Sequence, residues 1–260
     1  MTQIVTLSVP RTGSTHLGGH LRAFSGLHVF GEVFHPANSH GLNSDHLDHL
    51  RDRFDATVSS DLSDPATIDW VRSHPVEMFE MFDHFAGDRA AVVKLFPQHL
   101  DREFVTTSLL PRSDVVSLVL YRRVIDSYAS AAKARQASKW RSVDTTDLRA
   151  QARIHHFRGW ARLQQEWYSD CRAAIEGAGR PYNVFRYEEH LDVDSEELLG
   201  TIEQFLLTHD IDPGERSPVE RTTMKQDTTP DYRQKFSDWD AFSDELEKEG
   251  LLELATGYFT

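Results

Sequence analysis

Residues 3–16 read Gln-Ile-Val-Thr-Leu-Ser-Val-Pro-Arg-Thr-Gly-Ser-Thr-His. An apolar, β-branched run breaks at Pro10 into a loop with one glycine and three hydroxyls, then passes into a helical stretch from Leu17. That order is a strand, an anion-binding loop and a helix start. The loop N–H groups, the positive end of the helix dipole and the hydroxyls of Thr12, Ser14 and Thr15 converge on one spot suited to phosphate or sulfate. A nucleoside-triphosphate loop needs a second glycine, a lysine for the terminal phosphates and a hydroxyl for Mg²⁺. Here Gly13 is the loop's single glycine and Arg11 stands at its start, which counts against ATP or GTP hydrolysis. The bland alternative is a polar turn in which Ser14 or Thr15 caps a helix.

A second segment weighs against that alternative. Asp114 to Tyr121 is an apolar run that reads as a buried parallel strand, followed by Arg122-Arg123 and a helical pattern through Val124, Ser127, Tyr128 and Ala131. Ser130 lies two helical turns beyond Arg122, so both face one anion in this reading. An arginine pair at a helix start is unfavourable unless an anion is bound there. Strands are expected at 3–9, 27–30, 90–95, 114–121 and 181–187. Helices are expected at 15–25, 43–54, 65–86, 101–109, 123–137, 147–177 and 195–208, with a last amphipathic helix carrying Trp239, Phe242 and Leu246. Such alternation predicts an α/β fold, a mostly parallel central sheet covered by helices, in one domain over 1–260. The segments 137–146 and 209–230 read as loops.

Pro10 to Thr15 resembles the 5′-phosphosulfate loop of sulfotransferases that use 3′-phosphoadenosine-5′-phosphosulfate (PAPS). Arg122, Asp126 and Ser130 match the spacing of that family's 3′-phosphate site, and Tyr187-Glu188-Glu189-His190-Leu191 resembles its Tyr-Glu-Asp/Glu-x-Leu segment. The anchors stand in the family's order over residues 3 to about 207. The resemblance is to the bacterial carbohydrate and nodulation-factor branch. It implies a P-loop-kinase-like three-layer α/β/α fold, PAPS as donor, and Arg11, Thr12, Gly13, Ser14, Thr15, Arg122, Ser130 and Tyr187 as its binding residues. Family members close a basic C-terminal loop over the nucleotide, for which Arg221 and Lys225 are the candidates.

For catalysis the resemblance implies Glu32, in Gly31-Glu32-Val33-Phe34-His35-Pro36, as general base. A carboxylate at the end of a parallel strand points toward the crevice where ligands bind. His35 is the rival base, its ordinary pKa lying nearer neutrality. Lys94, in Ala91-Val92-Val93-Lys94-Leu95-Phe96-Pro97, matches the lysine of the cytosolic enzymes' Lys-Thr-His-Leu-Pro segment, and Phe96 stands where their catalytic histidine would be. That departure moves the base elsewhere. Arg11 completes the expected catalytic set.

The chain has 260 residues, a formal net charge of −13 and one cysteine, Cys171. An acidic balance argues against nonspecific binding to nucleic acid or anionic membranes, and no intrachain disulfide is available. With no apolar run of membrane-spanning length and a first strand that starts at residue 3, a cytoplasmic enzyme without a signal peptide is expected. His46 and His49 stand three apart and His155-His156 are adjacent, but none forms a ligand set with site-like spacing, so no metal is expected. The expected partner is a small-molecule or carbohydrate acceptor, and the resemblance implies in-line transfer of the sulfuryl group to a hydroxyl of a carbohydrate or glycolipid. Two other readings are a P-loop-type nucleotide or metabolite kinase and a catalytically inactive nucleotide-binding module. Oligomeric state is not encoded in any motif.

Overall fold

Short apolar, β-branched runs become five strands: β1 (Gln3–Leu7), β2 (Leu27–Gly31), β3 (Ala90–Leu95), β4 (Val115–Tyr121) and β5 (Tyr182–Arg186). The computed structural model describes residues 2–137, 145–219 and 231–259. The strands form one sheet in the order β2-β3-β1-β4-β5, with every neighbouring pair parallel. Side chains alternate across it. Val5 and Leu7 of β1, Val93 of β3 and Val119 of β4 enter one apolar cluster, while Ile4, Val92 and Leu118 enter another on the opposite face. The central strands are buried along their whole length, which is why their sequences read as continuous apolar runs.

Helices cover both faces. The larger cluster lies beneath α2 (Ser44–Phe54), α4 (Pro75–Ala86), α5 (Val124–Gln136), α6 (Ile154–Gly177) and α9 (Trp239–Lys248). The smaller lies beneath α1 (Ser14–Leu21) and α7 (Ser195–Thr208). The remaining helices are α3 (Pro65–Ser73), α8 (Tyr232–Lys235) and α10 (Leu252–Thr256). The result is the expected three-layer α/β/α arrangement. The connection after β1 passes to the α1 and α7 face, while those after β2, β3 and β4 pass to the other face. Crevices therefore open at the carboxyl ends of the strands on either side of β1, where ligands bind in open α/β sheets.

The structure redraws several expected helices. The stretch 65–86 is two helices, because Pro75 lacks an N–H and forces His74, at φ −119° and ψ 55°, out of the helical region. The stretch 147–177 becomes helical only at Ile154. Ala150 instead pairs in parallel with Phe236, its N–H donating 2.7 Å to the Lys235 carbonyl. The stretch 101–109 contains a wide turn over 104–109, where the Leu110 N–H reaches back to the Val105 carbonyl at 3.0 Å. A second wide turn, Tyr187–Leu191, closes through an Asp192 N–H to Tyr187 carbonyl bond of 2.8 Å. Much of the loops expected at 137–146 and 209–230 lies outside the described residues.

Candidate active site

Residues at the carboxyl ends of all five strands deliver the site. The loop after β1 rises into α1, whose first residues follow Gly13 at φ 90° and ψ 10°. No side chain caps this helix and its first turn holds no acidic residue, so its N-terminus remains open to an anion. Tyr187, at the end of β5, lies over Gly13: a Cβ there would stand 2.5 Å from Tyr187 Cδ2. Only glycine fits under that ring. The Thr12 hydroxyl donates 2.8 Å to the Val9 carbonyl and its side chain is buried. It braces the loop, leaving Ser14 and Thr15 to line the cleft.

Two guanidinium groups flank the loop. Arg122, one residue past β4, donates from Nη1 to the Arg11 carbonyl at 2.9 Å, and its Cζ stands 4.6 Å from the centre of the Tyr187 ring. Arg11, held at φ 76°, donates from Nε to Ser130 Oγ on α5 at 3.0 Å. Arg11 thus bonds to Arg122 through its carbonyl and to Ser130 through its side chain. Burial, then the charge of Arg122, lowers the Arg11 pKa. Two cations at close quarters are stabilised by a shared anion. Glu188 approaches Arg122 Nε only to 3.9 Å and accepts the Arg123 N–H at 3.3 Å. Arg122 Nε is buried and makes no hydrogen bond among the described residues, an orphaned donor beside the loop.

Asp126 behaves differently from its neighbours in the motif. Its carboxylate takes the Lys235 ammonium at 2.5 Å, and both side chains are nearly sequestered. It ties α8 to α5 instead of turning toward Arg122.

Glu32 reaches the site through a bulge. The β2–β3 register steps from Val29 opposite Val92 to Gly31 opposite Val93, so two β2 residues span one position of β3. Gly31, at φ 87°, absorbs the turn. Without the bulge Glu32 would stand across from Leu95; with it, Glu32 comes level with Lys94. Their charged atoms lie 2.6 Å apart, at side-chain exposures of 10% for Lys94 and 11% for Glu32. Lys94 also donates to Ser14 Oγ at 3.3 Å, linking the carboxylate to the anion loop.

His35 stands nearby with its Nδ1 accepting the Ala37 N–H at 3.1 Å. His99 went unnoticed in the sequence. The Phe96–His99 turn, closed by a 3.0 Å backbone bond, folds it back so that its Nδ1 lies 3.3 Å from the Lys94 carbonyl. Its signal was a histidine three positions after Phe96, just beyond Pro97. His99 is fully buried, with Nε2 lacking a hydrogen bond among the described residues. Burial lowers its pKa to about 4, against the opposing pull of Glu32.

A cleft of about 360 Å³ opens beside Glu32 and Lys94. Ser14 and Thr15 border it at the loop, Leu17, Leu21, Val29 and Val92 supply apolar wall, and Arg22 and His40 also line it. Arg22 is a second residue that no motif announced. Arg221 and Lys225 lie outside the described residues. Among the described residues no group of three or more His, Cys, Asp or Glu is placed to hold a metal ion, and no helix is long and apolar enough to cross a membrane.

Similar backbones occur among solved structures. A sulfotransferase domain from the Synechococcus PCC 7002 olefin synthase aligns over 93% of this chain and 88% of its own, with a TM-score of 0.46 and 16% identity. A sulfotransferase domain from the curacin biosynthetic pathway aligns over 90% of this chain and 82% of its own, with a TM-score of 0.42 and 14% identity. No protein-family model and no curated protein matches the chain.

Proposed function

We propose that this protein transfers a sulfuryl group from PAPS to the hydroxyl of a small-molecule or carbohydrate acceptor. The observation that carries the reading is an anion loop and an adjoining arginine cluster with a carboxylate–lysine pair beside them. The uncapped start of α1 adjoins Arg11, Arg122 and Ser130, and Lys94 spans from Ser14 to Glu32. The order of residues matches the donor-binding motifs that the sequence resembles. A loop without the Gly-Lys-Ser/Thr ending of a triphosphate site fits a sulfate-bearing nucleotide better than ATP with Mg²⁺.

In this reading the loop N–H groups and Ser14 hold the 5′-phosphosulfate, Arg122 and Ser130 hold the 3′-phosphate, and Tyr187 packs on the adenine. Glu32 accepts the acceptor's hydroxyl proton as that oxygen bonds to sulfur and the bond from sulfur to the 5′-phosphate oxygen breaks. Once protonated, Glu32 no longer neutralises Lys94. The ammonium then turns toward the negative charge gathering on the departing phosphate oxygen. Positioning and charge stabilisation supply most of the acceleration, as in phosphoryl transfer.

Calorimetric titration with 3′-phosphoadenosine-5′-phosphate, alongside ATP with Mg²⁺, tests the donor. Saturable binding of the bisphosphate that Arg122→Ala weakens supports the proposal. Binding of ATP with no binding of the bisphosphate refutes it and points to a kinase.

A further inference from the structure

The cleft beside the anion loop holds a cation that the donor chemistry does not use. Arg22 follows the last turn of α1 and lines the cleft together with Glu32 and Lys94. Its Nη1 donates to the Gly18 carbonyl of its own helix at 3.3 Å, and this is its only hydrogen bond among the described residues. No carboxylate among them lies within ion-pair distance of it. Other arginines have an acid partner: Arg216 pairs with Glu196 and Glu203, Arg186 with Glu189, and Arg122 distantly with Glu188.

Two glycines keep the guanidinium open. A Cβ on Gly18 would meet Arg22 Nη1 at 3.7 Å, and a Cβ on Gly31 would meet Nη2 at 3.6 Å. Any longer side chain at either place would cover the group. Gly31 immediately precedes Glu32, so the cation lies one residue along β2 from the carboxylate assigned as base. Leu17, Leu21, Val29 and Val92 give the same cleft an apolar wall.

We propose that Arg22 selects an anionic acceptor, a hydroxyl compound carrying a carboxylate that seats on its guanidinium while the hydroxyl meets Glu32. This rests on the sulfotransferase reading and narrows its acceptor class. An aliphatic or sugar body fits the wall, the hydroxyl fits the Glu32–Lys94 end, and the carboxylate occupies the open fork, which is shaped for two parallel hydrogen bonds. Contact with the α1–β2 wall costs the guanidinium some hydration and lowers its pKa, a cost that a bound anion relieves. Helix capping alone explains the bond to Gly18 but not the open Nη2 face turned to the cleft.

The test uses matched pairs that differ only in charge: methyl β-D-glucuronoside against methyl β-D-glucoside, and 4-(hydroxymethyl)benzoate against its primary amide. Each is offered with labelled PAPS to the wild type, Arg22→Gln and Arg22→Lys, and binding of the bisphosphate nucleotide is measured on all three. The expected result is a preference for the acid of roughly five- to tenfold or more in kcat/KM, carried mainly by KM, because this arginine is partly exposed. Arg22→Gln should abolish the preference, lowering kcat/KM for the acid at least about fivefold more than for its neutral partner, and Arg22→Lys should restore part of it. Equal use of acid and neutral partner by the wild type, or a preference that survives Arg22→Gln, overturns the inference while leaving the sulfotransferase reading intact. Absence of nucleotide binding in the wild type fells both together.

Discussion

Replacing Gly13 by alanine tests whether the loop, Tyr187 and Arg122 form one unit. At φ 90° a residue with a Cβ is strained by roughly 1–2 kcal/mol. The new methyl would stand 2.5 Å from Tyr187 Cδ2 and 2.7 Å from Cε2, so the ring must leave its place. With it goes the stacking of Arg122, whose Cζ lies 4.6 Å from the ring centre, worth roughly 0.5–2 kcal/mol. Together these give a loss of roughly 2–4 kcal/mol, or about 5–15 °C in Tm for a chain of this size. Differential scanning calorimetry and urea unfolding measure it. The decisive arm is a double-mutant cycle with Tyr187→Ala, which removes the clash and leaves only the backbone strain. The double variant should be more stable than the sum of the single losses predicts, by roughly 0.5–2 kcal/mol. Additivity within about 0.3 kcal/mol would refute the contact between ring and loop. A Gly13→Ala variant as stable as the wild type would refute the strain as well.

Two further expectations concern catalysis and pH. Glu32→Gln and Lys94→Met should each lower kcat by roughly 10²–10³ with donor affinity largely retained, and the double variant should lose little more than either, because the pair acts as one unit. Multiplied losses in single-turnover assays would show that the two act separately. His46 and His99 have pKa values lowered to about 4, in both cases chiefly by burial. The unfolded chain therefore binds more protons than the folded one between about pH 6.5 and 4, so this stability is complete above about pH 6.5 and is lost as pH falls toward 4. Each group contributes on the order of 3 kcal/mol at most. Urea midpoints at pH 7, 5.5 and 4.5 should fall less steeply for His99→Gln than for the wild type, and equal slopes would contradict the burial.

The strands were legible because the centre of a parallel sheet is buried on both faces. Only apolar, β-branched runs such as Val115 to Tyr121 meet that demand, and they stand out in any composition. The anion loop was legible because its chemistry is local. Gly13, Ser14 and Thr15 are neighbours in the chain as well as in space, and Arg122 stands two residues before the helix that carries Ser130. Helix limits were less so, because tertiary partners set them. Ala150 leaves the helical pattern to pair with Phe236, far along the chain.

What only the tertiary structure decided is how distant residues share one space. Nothing local marks the bulge that brings Glu32 level with Lys94, since it is a property of two strands in register. The same holds for Asp126, whose spacing points to a phosphate site but whose carboxylate is taken by Lys235 from a segment 109 residues away. His99 returns to Lys94 through a turn, and Arg22 becomes a cleft residue only because Gly18 and Gly31 stand aside. A sequence by itself determines which elements form and which short loops can hold charge, because those depend on neighbours a few residues apart. Which carboxylate meets which cation depends on strand order and register, and these are settled by packing of the whole core.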